Sequence, residues 1–365
     1  MTSGTSPFNW VGTAFSVPHM FGWMPAQDGS QLSGGPLSNT AWMDWAAKNG
    51  LSGVEIPLPP DHADAEAMQA LAVHAASLGL KIVLGAGPLS TEEITNCIKV
   101  ARTFQPDGPI TMRATLSKVL CGDRRLQEGG WQNRMNDCLS IAKELVPVLR
   151  DNNASVALEN HQDATAVELR WLCQLSDQSV IGVTLDTGNP LAVGEDILEF
   201  TRQVAPFVRH VHCKDYTVHA APNGFRLVRC AAGRGVVPFP ELLAIIQKDC
   251  PNAITPGVEN AAQAARLVPV FDAGWWTTYP AVDVRERLGF FQTIFTTAQP
   301  ESSEWRTPWE SGESSAAIVA HEVEEFDASC KYLTGITQAD LDNTLNASPG
   351  GANSPLEKPV QILNM

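Results

Sequence analysis

Val156-Ala-Leu-Glu159-Asn-His161 is an apolar run that ends in a carboxylate and an imidazole, and three later stretches repeat its design. They are Val183-Thr-Leu-Asp186, Val208-Arg-His-Val-His212 and Pro256-Gly-Val-Glu259. Short apolar runs bounded by polar residues read as buried strands of a parallel sheet. Glu159, Asp186, His212 and Glu259 therefore fall at the C-terminal ends of four successive strands. When parallel strands close into a barrel, those ends share the face on which catalytic residues collect. Three carboxylates and one imidazole converging there make an oxygen-rich site for one hard divalent ion, Mn²⁺, Mg²⁺ or Co²⁺ first, with Zn²⁺ also compatible. The competing reading is scattered surface acids with one core histidine, and any one of the four residues alone favours it.

Working outward from this stretch, apolar runs alternate with helical patterns from Phe8 to Pro280, the pattern of βα units on a parallel sheet. Strands are expected near residues 10–16, 53–58, 81–86, 110–116, 156–160, 181–186, 208–214 and 254–259. This makes an α/β protein with a (β/α)8 barrel. Helices are expected at 63–78, 132–150, 165–175, 195–204 and 239–247, with further ones opening at Ser38 or Asn39 and at Thr91. The eighth helix is placed at 284–295, which leaves 261–283, with Phe271, Trp275, Trp276 and Tyr279, as an aromatic loop over the catalytic face. Residues 215–238 read as a polar excursion. After Thr297 the composition turns to Glu, Ser, Asn, Gly and Pro, so the barrel is assigned to 1–297 and a C-terminal helical and irregular extension to 298–365. Within the extension, 315–333 has a helical apolar pattern suited to docking on the barrel, on a second copy or on a different subunit. Residues 346–355 read as flexible.

Composition limits the partners. A formal charge of −15 disfavours binding that rests on neutralising phosphates, so nucleic acid is excluded as a substrate. The eight cysteines form no CxxC pair and several lie in apolar runs, as expected of buried thiols in a reducing compartment. No run of eighteen apolar residues and no basic and apolar leader occurs, so a cytoplasmic location away from membranes is expected.

Strand pattern and ligand types together resemble the xylose isomerase-like TIM barrel superfamily over roughly residues 8–260. The motifs that carry the resemblance are Leu158-Glu159-Asn160-His161, Thr184-Leu185-Asp186-Thr187-Gly188-Asn189, His210-Val-His212-Cys-Lys214-Asp215, Gly233-Arg-Gly235 and Val258-Glu259-Asn260. By that resemblance Glu159, Asp186, His212 and Glu259 are metal ligands, and Glu159 and Glu259 also move the substrate proton. His210 and His212 point to the same side of one strand, so geometry alone leaves the choice between them open. The resemblance selects His212. His161, two residues after Glu159 and on the same side, matches the base of the C-glycoside deglycosidases. It is equally suited to orienting a metal ligand. Endonuclease IV, in the same superfamily, has a histidine where this chain has Asn189, a departure that weighs against DNA repair.

Glu55, His19, Lys214, Arg234 and Trp275 are the candidates for contacts to substrate, with water-facing or packing roles as the alternatives. Gly233-Arg234-Gly235 lacks the glycine run of a phosphate cradle, which favours an unphosphorylated sugar or glycoside. Three functions compete. The first is a sugar isomerase or epimerase that works through an enediolate. The second is a lyase that eliminates a group from a 3-keto-glycoside or dehydrates an inosose, with His161 as base. The third is a barrel without chemistry that serves as a partner subunit.

Overall fold

The computed structural model of the chain describes residues 6–252, 254–260 and 263–347. In chain order the strands are β1 (Val11–Thr13), β2 (Gly53–Pro57), β3 (Lys81–Pro88), β4 (Ile110–Thr115), β5 (Ala154–Glu159), β6 (Ile181–Asp186), β7 (Val208–Cys213), β8 (Asp215–Ala221), β9 (Gly224–Cys230), β10 (Pro256–Val258) and β11 (Arg266–Val268). β1 to β7 and β10 close a barrel of eight parallel strands in which β10 lies between β7 and β1. The helices are α1 (Asn39–Lys48), α2 (Ala65–Ser77), α3 (Thr91–Phe104), α4 (Trp131–Asp151), α5 (Ala166–Leu175), α6 (Ile197–Val204), α7 (Phe239–Asp249), α8 (Leu288–Thr297), α9 (Ser315–Thr334) and α10 (Gln338–Ala347). The early helices start where side chains satisfy the free N–H groups of the first turn. Ser38, Asp64 and Ser90 cap α1, α2 and α3, and Thr165 with Glu168 forms a reciprocal capping box on α5. Every residue of β5 and β6 is buried, as parallel strands covered on both faces require.

Two expectations from the sequence are corrected. Residues 215–238 are not an irregular excursion. β8 and β9 form an antiparallel hairpin that β11 extends to three strands. The helix expected at 284–295 does form, as a 3-10 turn at Val284–Arg287 and then α8, but it does not complete the barrel ring. It lies against the hairpin, where Phe290 meets Phe225.

The place between α7 and α1 is filled from the segment read as an extension. Phe326 of α9 packs on Trp42 and Trp45 of α1 with ring centroids 4.9 Å away in each case, and Tyr332 meets Phe239 of α7. The inner face of α9 is also polar. Glu322 accepts the backbone N–H groups of His19 and Met20, Glu325 pairs with Arg229, and Ser329 accepts from Ala232 N and Asn260 Nδ2. A helix so placed belongs to the fold's own core. Phe326→Ala is therefore expected to destabilise the protein by about 3–5 kcal/mol, the range for emptying a fully buried aromatic site. Denaturant unfolding reads this, and a loss under about 1 kcal/mol would show that α9 is a dispensable attachment.

All eight cysteines are unpaired thiols. Among the described residues no helix is long and apolar enough to cross a membrane. The stretch 346–355, read as flexible, lies outside the described residues from 348 onward.

Candidate metal centre and active site

The barrel interior carries polar side chains where most strands end. Strand register sets the neighbours. Thr115 lies beside Glu159, Glu159 beside Thr184, Asp186 beside His212, and His212 beside Gly257. Glu259 follows β10 directly and its N–H donates to Cys213 O. Glu159, Asp186, His212 and Glu259 thus come from four consecutive strands of the barrel, with the two glutamates on the outer strands of that arc. All four are buried.

Beneath them lies a layer of Glu55, Arg113 and His210. Glu55 Oε2 accepts from His210 Nε2 at 2.8 Å and His212 Nε2 at 2.7 Å, while Oε1 accepts from Arg113 Nε at 3.0 Å. Arg113 continues to Glu159 Oε2 at 3.3 Å. Gly85 makes room for this layer, because a Cβ there would stand 2.7 Å from the Arg113 guanidinium. Glu55 is fully buried with both oxygens used, so the structure places it behind His212 as an orienting carboxylate and not at the substrate.

His212 presents its other nitrogen, Nδ1, to Glu259 Oε2 at 2.5 Å and to Glu159 Oε1 at 3.8 Å. His210 reaches only Glu55 and the barrel interior. Lys214, just past β7, places Nζ 2.5 Å from Asp186 Oδ2 and 2.9 Å from Glu259 Oε1. Asn189 Nδ2 donates to the same Asp186 Oδ2 at 2.6 Å and is steadied by Tyr216 and Gln162. Asn160 ties β5 to β6 through two bonds with the Asp186 backbone.

What these contacts leave over is informative. Asp186 Oδ1 is buried and has no partner among the described residues, while Glu159 Oε2, His212 Nδ1 and Glu259 Oε2 are buried and meet only one another and Arg113. Atoms of Glu159, Asp186 and His212 lie within 4.8 Å of one another. A buried polar atom without a partner is costly and calls for a ligand. The charges point the same way. Four carboxylates (Glu55, Glu159, Asp186, Glu259) against two cations (Arg113, Lys214) leave a formal −2 with neutral imidazoles, the charge that one divalent ion cancels. The residues fit such an ion.

The titration shifts follow from the same contacts. Burial and the two glutamates push Asp186 up to about 7 against the pull of Lys214. Burial opposes the charged form of Glu259, yet His212 and Lys214 hold it down at about 2. Glu159 is held well below the carboxylate range, chiefly by Arg113 acting against burial. Burial disfavours charge on His212, but Glu259 and Glu55 outweigh it and hold the imidazole well above its ordinary value. His161 differs from the rest: its Nδ1 is buried with no partner, and burial lowers its pKa despite Glu159, so it is neutral at pH 7.

The other candidates for substrate contact are dispersed. His19 spends both ring nitrogens on the protein, on Met24 O at 2.6 Å and Ser315 Oγ at 2.8 Å, and so pins α9. Arg234 turns outward to Glu324 at 2.7 Å, with both side chains more than half exposed. Trp275 is fully buried, packed on Trp276 and Tyr279 and bonded to Cys121 O. It holds the aromatic loop against the loop after β4, together with Arg124, whose guanidinium lies 3.9 Å from the Tyr279 ring centroid. Phe15 and the exposed Trp23 form an aromatic wall above Arg113. Of the two arginines the sequence offers as ion-pair partners for the glutamates, Arg113 reaches Glu159 and Arg234 does not, and Asn189 of the Asp186 motif binds that aspartate.

A family model described as a xylose isomerase-like TIM barrel matches residues 43–268. Among solved structures the chain is similar to an L-ribulose 3-epimerase, with a TM-score of 0.53 at 13% identity over 94% of this chain and 96% of that one. It is similar to a xylose isomerase domain protein from Planctomyces limnophilus, with a TM-score of 0.50 at 16% identity over 70% and 91%. A D-allulose 3-epimerase from Methylomonas sp. gives 0.50 at 13% identity over 88% and 99%. At these identities the likeness is one of fold. No curated protein sequence matches the chain.

Proposed function

The chain belongs to the xylose isomerase-like TIM barrel family, and on that premise we propose that it is a divalent-metal-dependent isomerase or epimerase of an unphosphorylated keto- or aldo-sugar. The observation that carries this reading is the buried cluster of Glu159, Asp186, His212 and Glu259 on four consecutive strands, in which Asp186 Oδ1 has no partner among the described residues. These residues would hold the ion, and Mn²⁺, Mg²⁺ or Co²⁺ suits the oxygen-rich set best. When bound, the ion polarises a carbonyl and its neighbouring hydroxyl.

The chain's own groups do the rest. Glu159 and Glu259 stand on the outer strands of the ligand arc, so one can take a proton from the hydroxyl-bearing carbon next to the carbonyl and the other can return one. Return to the opposite face of that carbon is epimerisation, and return to the neighbouring carbon is isomerisation. Both carboxyls are held low by their cationic partners, so either can start as the base, and return of a proton to the opposite face requires the other glutamate to take one up from solvent first. Burial of the set excludes water from the enediolate.

A second reading, β-elimination from a 3-keto-glycoside or dehydration of an inosose, is favoured by one observation. His161 is a neutral imidazole with a buried, unpartnered Nδ1 beside Glu159. Its lowered pKa would keep it active as a base down to a pH below the ordinary imidazole value. Incubating the enzyme and Mn²⁺ with simple ketoses and, separately, with 3-keto-glycosides in D₂O separates the two. The isomerase reading expects deuterium at the carbon next to the ketose carbonyl and retention of most of that exchange in His161→Gln. Turnover of the 3-keto-glycoside alone, abolished in His161→Gln, rejects it in favour of the lyase.

A further inference from the structure

We propose that Lys214 limits the number of oxygens that Asp186 and Glu259 can give to the metal, and so keeps coordination positions open for the substrate. The inference rests on the reading of the site as a divalent-metal centre. Lys214 Nζ does not touch Asp186 Oδ1 or Glu259 Oε2. It binds the other oxygen of each carboxylate, Oδ2 of Asp186 at 2.5 Å and Oε1 of Glu259 at 2.9 Å. Asn189 adds a second donor to Asp186 Oδ2. Asp186 Oδ1 and Glu259 Oε2 are thereby the oxygens the ammonium leaves over, one per residue, the first without a partner among the described residues and the second facing His212 Nδ1, itself a candidate ligand atom, at 2.5 Å.

A carboxylate free to rotate can give both its oxygens to a metal. A carboxylate with one oxygen fixed by an ammonium gives one. With Glu159 and His212 the protein then supplies four donor atoms. An ion that takes about six ligands keeps roughly two positions for solvent or for a chelating hydroxycarbonyl. The ammonium is itself fixed. Lys214 is buried, and its backbone N–H and C=O are both bonded to Thr187 Oγ1. Its side chain leaves β7 toward the ligand arc with no freedom to swing into solvent. Lys214 is therefore a positioning residue whose effect is on the ligand count of the ion.

The test compares wild type, Lys214→Met and Lys214→Gln by Mn²⁺ binding and by water-proton relaxation, which reports exchangeable water on the bound ion. Wild type is expected to bind one Mn²⁺ with high relaxivity. Lys214→Met is expected to bind it still, with relaxivity per bound ion lowered by about half as a freed carboxylate oxygen displaces one of two waters. Lys214→Gln, which keeps a donor, is expected to fall between them. Unchanged relaxivity per bound ion in Lys214→Met overturns the assignment and leaves Lys214 a charge-balancing role only. Loss of Mn²⁺ binding by both variants also overturns it, because the ammonium is then needed to assemble the ligands. If wild type binds no Mn²⁺, it is the metal-site reading that fails.

Discussion

Glu159→Gln and Glu259→Gln each lower turnover by about 10³-fold or more, a loss of roughly 4 kcal/mol of transition-state stabilisation. The expectation follows from the double use of each carboxylate. Each lies in the ligand cluster and beside a cation, Lys214 on Oε1 of Glu259 and Arg113 on Oε2 of Glu159. Glutamine has nearly the same shape but neither the charge nor the basicity, so it weakens metal holding and removes the proton carrier together. The pair also distinguishes the two chemistries. If both glutamates carry protons, each variant loses hydrogen exchange with solvent even when metal is saturating. If His161 is the only base, a glutamine variant resaturated with metal regains exchange. A variant that keeps more than about a tenth of wild-type turnover would remove that glutamate from the mechanism.

Saturating Mn²⁺ raises the melting temperature of the chelated protein by several degrees. Four carboxylates crowd one buried cluster, and without the ion they are offset only by Arg113, Lys214, a protonated His212 and partial protonation of Asp186. A ligand present at a thousandfold excess over its Kd stabilises the native state by about 4 kcal/mol, which moves the transition by several degrees for a chain of this size. Mg²⁺ and Co²⁺ should act in the same direction. Glu159→Ala removes one of the four donors and should abolish most of the shift. Equal melting temperatures with chelator and with Mn²⁺ would mean that the four residues do not form an ion site.

The barrel was legible in the sequence because its strands are short and apolar and carry their polar residues at one end. That rule located β5, β6, β7 and β10 and, with them, Glu159, Asp186 and His212, whose atoms lie within 4.8 Å of one another, and Glu259 against His212. The hairpin was missed although its signal was present. Pro222-Asn223 followed by Gly224 joins the two mostly buried strands Asp215–Ala221 and Gly224–Cys230, and such residues are a turn signal. The charged residues Arg226 and Arg229, on opposite faces of β9, interrupt its apolar pattern.

The eighth barrel position was not legible. Both 288–297 and 315–334 are helical with an apolar face, and nothing local says which one returns to the barrel. The choice depends on Phe326 meeting Trp42, a contact across nearly three hundred residues. Glu55 was misplaced for a related reason. From the sequence it ends an apolar strand, as Glu159 does, but it pairs with Thr13 one layer deeper, so its carboxylate meets His210 and His212 from behind. His19, Arg234 and Trp275 were placed by loop position alone, and loop position does not say which way a side chain turns.

The central claim, that Glu159, Asp186, His212 and Glu259 hold one divalent ion, is tested most directly by metal analysis of the purified protein beside Glu159→Ala. The account predicts close to one Mn, Mg, Co or Zn per chain in the wild type, restored by titration after chelation, and little or none in the variant. No metal in the wild type, and none taken up on titration with Mn²⁺, would contradict it.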